Sequence, residues 1–367
     1  MINGRTIFIA VYLLVSASPV FGQNDERRFP IHENGRWGYI DITGNVVMKP
    51  QFDYACDFSE GLAAIQLGTE YYRVPRDKSL QPEKITKAEA ESLSECDGEL
   101  DIHEGKFGYI NTCGEMVISL LYDNALEFSE GLAAVNVGEK FGCCGEFYPG
   151  SWGYIDRSGD TVIALQFDFA GDFSEGLAHV ESGRQSGFID KGGKYVIIID
   201  AMRLENFKNG FAAFDNEKEY GYIDKSGKRY PGPIRKTAGL KIFMKNDRYG
   251  YSDTLGNIIV RPRFEYADLF VEGKARVKLF DKWGFVDKRG ALVCQPTYDY
   301  VFDFADGMAR VEKNGLIGYV DANCNLAVVP QFKEASDFHN GLAAITKNHF
   351  LTAYIDKTGR YVWRDTK

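Results

Sequence analysis

Residues 152–180 read WGYIDRSGDTVIALQFDFAGDFSEGLAHV, and the stretch recurs with variation about eight times along the 367-residue chain. Three glycines keep the register. The first follows an aromatic, as in Gly38, Gly153 and Gly284. The second lies six residues on, at Gly44, Gly159 and Gly290, and the third 17 further, at Gly61, Gly176 and Gly307. Eleven more residues lead to the next first glycine, giving a 34-residue period. Self-similarity at such a period is the signature of a repeat architecture.

Each glycine has a physical reading. Asp156-Arg157-Ser158-Gly159 lies between two apolar alternating runs. An Asp that opens a tight turn bonds its own backbone, and a Gly three later supplies positive φ. This spells a hairpin with a type I turn and a bulge. Asp41, Asp190, Asp224, Asp253, Asp287, Asp321 and Asp356 repeat the opening. The third glycine, in Phe-Ser-Glu-Gly-Leu, marks a second reversal. The first sits inside a strand, where glycine signals close backbone approach. One unit is therefore three short strands, near Trp152–Asp156, Thr161–Phe167 and Leu177–Val180. Ala170 and Phe173 read as plugs beneath the sheet. A unit of this size cannot bury enough apolar surface alone, so neighbours must stack. The expected fold is an all-β tandem array of three-stranded antiparallel units. It is curved or superhelical, with a propeller-like closed ring as the other form of the same pattern.

Trp37-Gly38-Tyr39-Ile40-Asp41, Trp152-Gly153-Tyr154-Ile155-Asp156 and Trp283-Gly284-Phe285-Val286-Asp287 resemble the WG (or KWG) repeats of bacterial proteins. The resemblance spans roughly residues 36–363. It implies a β-rich array, common in exported or surface proteins, and carries over no catalytic residue.

Residues 1–22 have the form of a secretory signal peptide: Arg5, an apolar Ile7–Val15 core and a Val20-Phe21-Gly22 cleavage site. The expectation is an exported protein, periplasmic, cell-surface or secreted. A lead-in at 23–35 precedes the array at 36–363, which holds eight repeats and a partial ninth; 364–367 form a tail. Insertions at 68–103 and 140–151 interrupt the array, and Pro82–Ser94 within the first has helix-forming composition. No other apolar run is long enough to span a bilayer. The formal charge of −9 disfavours nucleic acid as a partner.

Seven cysteines are an odd number, so at least one thiol stays free or pairs between chains. Cys113, Cys143 and Cys144 are candidates for a local disulfide or for free thiols. No Cys-x-x-Cys and no paired histidines provide a metal site, and no cofactor motif is present. The turn aspartates offer one carboxylate each, poor provision for calcium. They and the Ser-Glu-Gly acids (Glu60, Glu130, Glu175) read as turn residues. Trp37, Tyr39, Trp152, Tyr154, Trp283 and Phe285 are candidate ligand-facing or inter-repeat aromatics. Residues two apart on a strand share a face, and recurrence favours a common packing role. The pattern fits a non-enzymatic scaffold for a protein or peptide. A glycan or cell-wall module using exposed rings, and an envelope hydrolase housed in an insertion, are the alternatives. Repeat five has lost five residues and carries Pro231 and Pro233 in its second strand. That junction is expected to be the weakest.

Overall fold

The computed structural model describes all residues except 1–25, 75–80, 93–98, 142–146, 184, 202, 209, 217–218, 232–235, 238–239, 254, 349 and 366–367. The expected leader and Cys143-Cys144 lie outside the described residues. The rest is almost entirely antiparallel sheet, in nine small sheets that follow one another along the chain and a tenth built from the first insertion.

The third sheet shows the plan. It runs Asn124–Ala125, Leu132–Phe141, Phe147–Asp156, Thr161–Phe167, with neighbours paired in that order. The third strand of one sequence repeat thus pairs with the first strand of the next. The expected three-strand unit gains a fourth strand, of only two residues in this sheet. Two residues show no alternation to read, and their pairing is specified by the turn that follows.

The hairpin forms as its chemistry dictates. Gly159 N donates to Asp156 O, and Asp156 Oδ1 accepts from Ser158 N and Asp160 N. The strand glycine has a stricter reason. Trp152 pairs with Phe167 and Tyr154 with Ile163, so the outer strand carries two extra residues opposite Gly153. A Cβ on Gly153 would lie 2.6 Å from Ile163 O, and the same holds at Gly38, Gly250 and Gly318 against their own bulges.

The inner strands of the third sheet are buried on both faces. Tyr154 points to the cluster shared with the fourth sheet, while Ile155 joins the cluster shared with the second. The clusters continue around the molecule. The last closes it: Phe29, Ile31 and Ile40 of the first sheet pack with Leu342, Tyr354 and Trp363 of the ninth. Tyr354 Oη donates to Pro30 O, and Arg27 donates to Asn340 O. The array therefore returns on itself as a propeller-like ring. The ring form, also legible in the repeat pattern, is the one adopted.

The first insertion forms a small sheet of Glu70–Val74, Glu83–Ile85 and Glu99–His103. Its helix is Lys87–Glu91, begun by a capping box between Thr86 and Glu89. The helix is shorter than the composition of Pro82–Ser94 suggests, because Glu83–Ile85 pairs as a strand.

Candidate functional site

The FSEG turns link each sheet to the next. Glu60, Glu130 and Glu175 have φ near +50, followed by a positive-φ Gly, as a type I′ turn requires. They are more than exposed turn residues. Glu60 accepts from Gly131 N, Glu130 from Gly176 N and Glu175 from Gly210 N, each on the next sheet. The serines repeat the link: Ser129 Oγ donates to Phe173 O, and Ser174 Oγ to Phe207 O. The charge of Lys208, in the fifth sheet's turn, acts on Asp303 in the strand Tyr300–Ala305 of the eighth, although two sheets separate them in sequence.

One acid immediately precedes the plug phenylalanine in five of these turns: Asp57, Glu127, Asp172, Asp303 and Asp337. Its surroundings differ around the ring. Arg276 of the seventh sheet lies 2.9 Å from Asp303, and Arg310 of the eighth lies 2.6 Å from Asp337. At the positions equivalent to these arginines, Ala64 and Ala134 precede Glu127 and Asp172. Desolvation, together with the charges of Asp57 and Asp172, pushes Glu127 up to about 7. The Glu127 residue nonetheless keeps access to solvent. Asp57 and Asp172 are also raised by desolvation, and His339 opposes the shift at Asp57. The sequence signal for these acids was their constant place before the plug phenylalanine. Their convergence needed the closed ring.

A second repeated pair explains the basic residue before the WG dipeptide. Arg36, Lys106, Arg248 and Lys282 pair with Asp53, Asp123, Glu265 and Asp299, in each case 17 residues later. The acid's other oxygen holds a hairpin: Thr69 N donates to Asp53, Gly138 N to Asp123 and Asn314 N to Asp299.

The candidate aromatics are placed between sheets. Tyr39, Tyr154 and Phe285 are fully buried and Trp152 nearly so. Tyr39 and Tyr154 donate to Cys56 O and Gly171 O. Trp37 and Trp283 are half-buried, each ring against the tyrosine that opens the next sheet, Tyr54 and Tyr300. They pack the array rather than line an open platform. Cys113 is a free, exposed thiol. Among the described residues a disulfide joins Cys294 to Cys324, a pairing the candidate cysteines did not include. Cys324 stands in the hairpin-glycine slot. In other sheets that glycine rests on an apolar side chain of the preceding sheet, as Gly159 does on Ile118 and Gly359 on Val328. Here a sulfur–sulfur bond replaces that contact. His179 is core: burial pushes it down to about 4, and it touches the rings of Phe169 and Phe188. Among the described residues no three His, Cys, Asp or Glu side chains converge to hold a metal ion, and no helix is long and apolar enough to cross a membrane.

A solved eukaryotic initiation factor resembles the chain over 92% of its length and 95% of that structure, with 11% identity and a TM-score of 0.50. BamB from Moraxella catarrhalis matches over 83% and 89% at 10% identity, with a TM-score of 0.36. AztD from Citrobacter koseri matches over 91% and 92% at 13% identity, with a TM-score of 0.33. At such identities only the first likeness bears on the fold, and none on function. No curated relative matches the chain. The WG containing repeat matches at residues 37–71, 107–141, 152–183, 249–283, 283–316 and 317–348, more than half the chain, and the chain therefore belongs to the WG-repeat family.

Proposed function

We propose that the ring is an exported, non-enzymatic scaffold that binds a protein or peptide partner along its outer strands. The observation that carries this reading is an asymmetry of the rim. The last strand of each sheet has one unpaired edge, a template for another chain unless blunted. The first, sixth, seventh and eighth sheets blunt it with Pro50, Pro262, Pro296 and Pro330 in the bulge. The second and third carry Leu120 and Leu165 there instead, and the fourth pairs without that bulge, Ile199 facing Ser186 and Ile198 facing Gly187. These three strands expose Leu121 (60%), Val162 (45%) and Ile198 (65%); the proline-bearing strands expose Ile258 (55%) and Val329 (58%) as well, so the asymmetry lies in the missing prolines. An extended segment added to such an edge gains main-chain hydrogen bonds and an apolar contact for alternate side chains. Export is supported by Arg5, the apolar stretch after it and the Cys294–Cys324 bond, since disulfides persist in oxidising compartments.

Photo-crosslinkers at Leu165 and at Val329, in the full chain exposed to envelope extract, test the rim. Partners labelled from Leu165 should be lost when Leu121→Lys, Val162→Lys and Ile198→Lys are combined. Unchanged labelling in that variant, or equal labelling from Val329, removes the reading. A glycan array tests the carbohydrate alternative, and N-terminal sequencing of the natural product should begin near Gln23.

A further inference from the structure

The insertion sheet folds back against the second and third sheets and frames an open cleft of about 600 Å³. This lies within the range of small-ligand sites, roughly 300–1,000 Å³. The insertion contributes Tyr71, Ile102 and Glu104; the ring contributes Tyr54, Phe107 and Glu139. Two things distinguish its walls. Aromatic rings line it: Tyr54 and Phe107 stand edge to face at 6.2 Å, and Tyr54 is itself braced by Trp37 at 5.7 Å. Four carboxylates line it as well, with no Lys or Arg among the lining residues.

The four acids are not equivalent. Asp53 and Asp123 are the brace residues described above. Each already has one oxygen on Arg36 or Lys106 and the other on a backbone N–H. Glu104 and Glu139 are surplus to that scheme. Glu139 is half-buried, hydrogen-bonded to Asn124, and raised by burial and by the charges of Glu104 and Asp123. Concentrating negative charge in a concave wall stores repulsion that a cation relieves and a neutral ligand does not. Ring faces beside carboxylates attract cations a second way, through their quadrupole. The chain uses this chemistry itself. Arg276 sits 5.9 Å from the centre of Tyr300, the residue equivalent to Tyr54, and pairs with Asp303; Arg310 sits 3.8 Å from Phe302 and pairs with Asp337.

We propose that this cleft binds an organic cation, a guanidinium or alkylammonium group, carried on a peptide side chain or by a free amine. The site is separate from the outer strands. It depends on the insertion, so a regular repeat lacks it.

Calorimetric titration of the full chain at neutral pH and low salt tests the site with four probes. Arginine amide and Gly-Gly-Arg-Gly-Gly carry the cation; Gly-Gly-Gln-Gly-Gly and chitohexaose do not. Both cationic probes should bind saturably and weaken with added salt. Preference for the peptide identifies a side-chain source, and preference for arginine amide a free amine. Glu104→Gln with Glu139→Gln should weaken both roughly tenfold or more. Glu104→Lys changes an exposed position and brings the cation in covalently, so it should abolish binding with the fold intact. Absence of saturable binding, insensitivity to both variants, or equal binding of either neutral probe overturns the proposal. Loss of rim labelling in the crosslinking experiment leaves this result untouched, so the two fail separately.

Discussion

A methyl group on Gly153 would meet the carbonyl oxygen of Ile163 at 2.6 Å and the backbone nitrogen of Leu165 at 2.8 Å. Neither can swing away, because both belong to the bulge that pairs with the strand. Gly153→Ala should therefore cost about 3 kcal/mol, in the range where overpacking is the named mechanism. Chemical denaturation measures it, and a cost within the scatter of surface substitutions would contradict the close approach. Glu127 makes a prediction of opposite character. Its pKa in the fold is about 7, above the ordinary 4.5. Between those two values the folded state holds more protons than the unfolded one, so stability falls as pH rises through the window. Above the upper value the loss is complete. Glu127→Gln removes this component. From pH about 5 to about 8 the native protein should lose melting temperature relative to the variant. Identical pH profiles would show that burial and the charges of Asp57 and Asp172 leave Glu127 unperturbed.

The turn element Ser-Glu-Gly-Leu couples a local cost to a remote gain. A non-glycine residue in the left-handed region costs about 1–2 kcal/mol, and Glu175 sits there with φ 54. Its carboxylate takes the amide of Gly210 at 2.9 Å, and Lys225 pairs with the same group at 3.1 Å. Glu175→Ala keeps the strain and loses the link, whereas Glu175→Gly loses the link and the strain together. The alanine variant should be less stable by about 1 kcal/mol. If glycine proves the worse, the left-handed backbone at position 175 carries no strain of that size. This element also marks how far the sequence could be read. Asp156 and Gly159 declare their hairpin because every partner lies within four residues. Gly153 declares close approach because a strand glycine has few other reasons. Glu175 looks like any exposed turn acid, since its partner is 35 residues away. The two-residue strand Phe169–Ala170 has no periodicity to detect, and the cleft beside Tyr54 exists only where an insertion folds onto two sheets. Cys324 is conspicuous in a glycine slot, yet its partner follows only from knowing which side chain that slot touches.

At the scale of the ring, nine junctions must be held, and apolar clusters span eight of them among the described residues. The junction without one lies between the fifth sheet, ending at Arg229–Pro231, and the sixth, beginning at Lys236–Thr237. The hairpin glycine gives an independent reading. Gly114, Gly159, Gly193, Gly227, Gly290 and Gly359 each have a side chain of the preceding sheet within 4 Å, whereas Gly256 has nothing within that distance. The cause is visible in the chain. Repeat five has lost five residues, its outer strand is cut to Arg229–Pro231, and Leu240 and Ile242 of the next strand remain half-buried. They pack towards the seventh sheet instead of the fifth. The first and ninth sheets, by contrast, are joined by the cluster of Phe29, Ile31, Leu342 and Trp363. The seam where the chain's two ends meet is thus better packed than this internal junction. In an array stabilised through nearest-neighbour interfaces, cooperativity breaks at the weakest one. Amide hydrogens in residues 228–243 should therefore exchange sooner than those of Gly153–Asp156 and Gly284–Asp287. Limited proteolysis should cut there, or in the two insertions, before any regular repeat. Exchange from 228–243 as slow as from those strands would mean the fifth and sixth sheets are held by contacts outside the described residues. If the closing seam opened first instead, the ring would be ordered by chain ends and not by buried area.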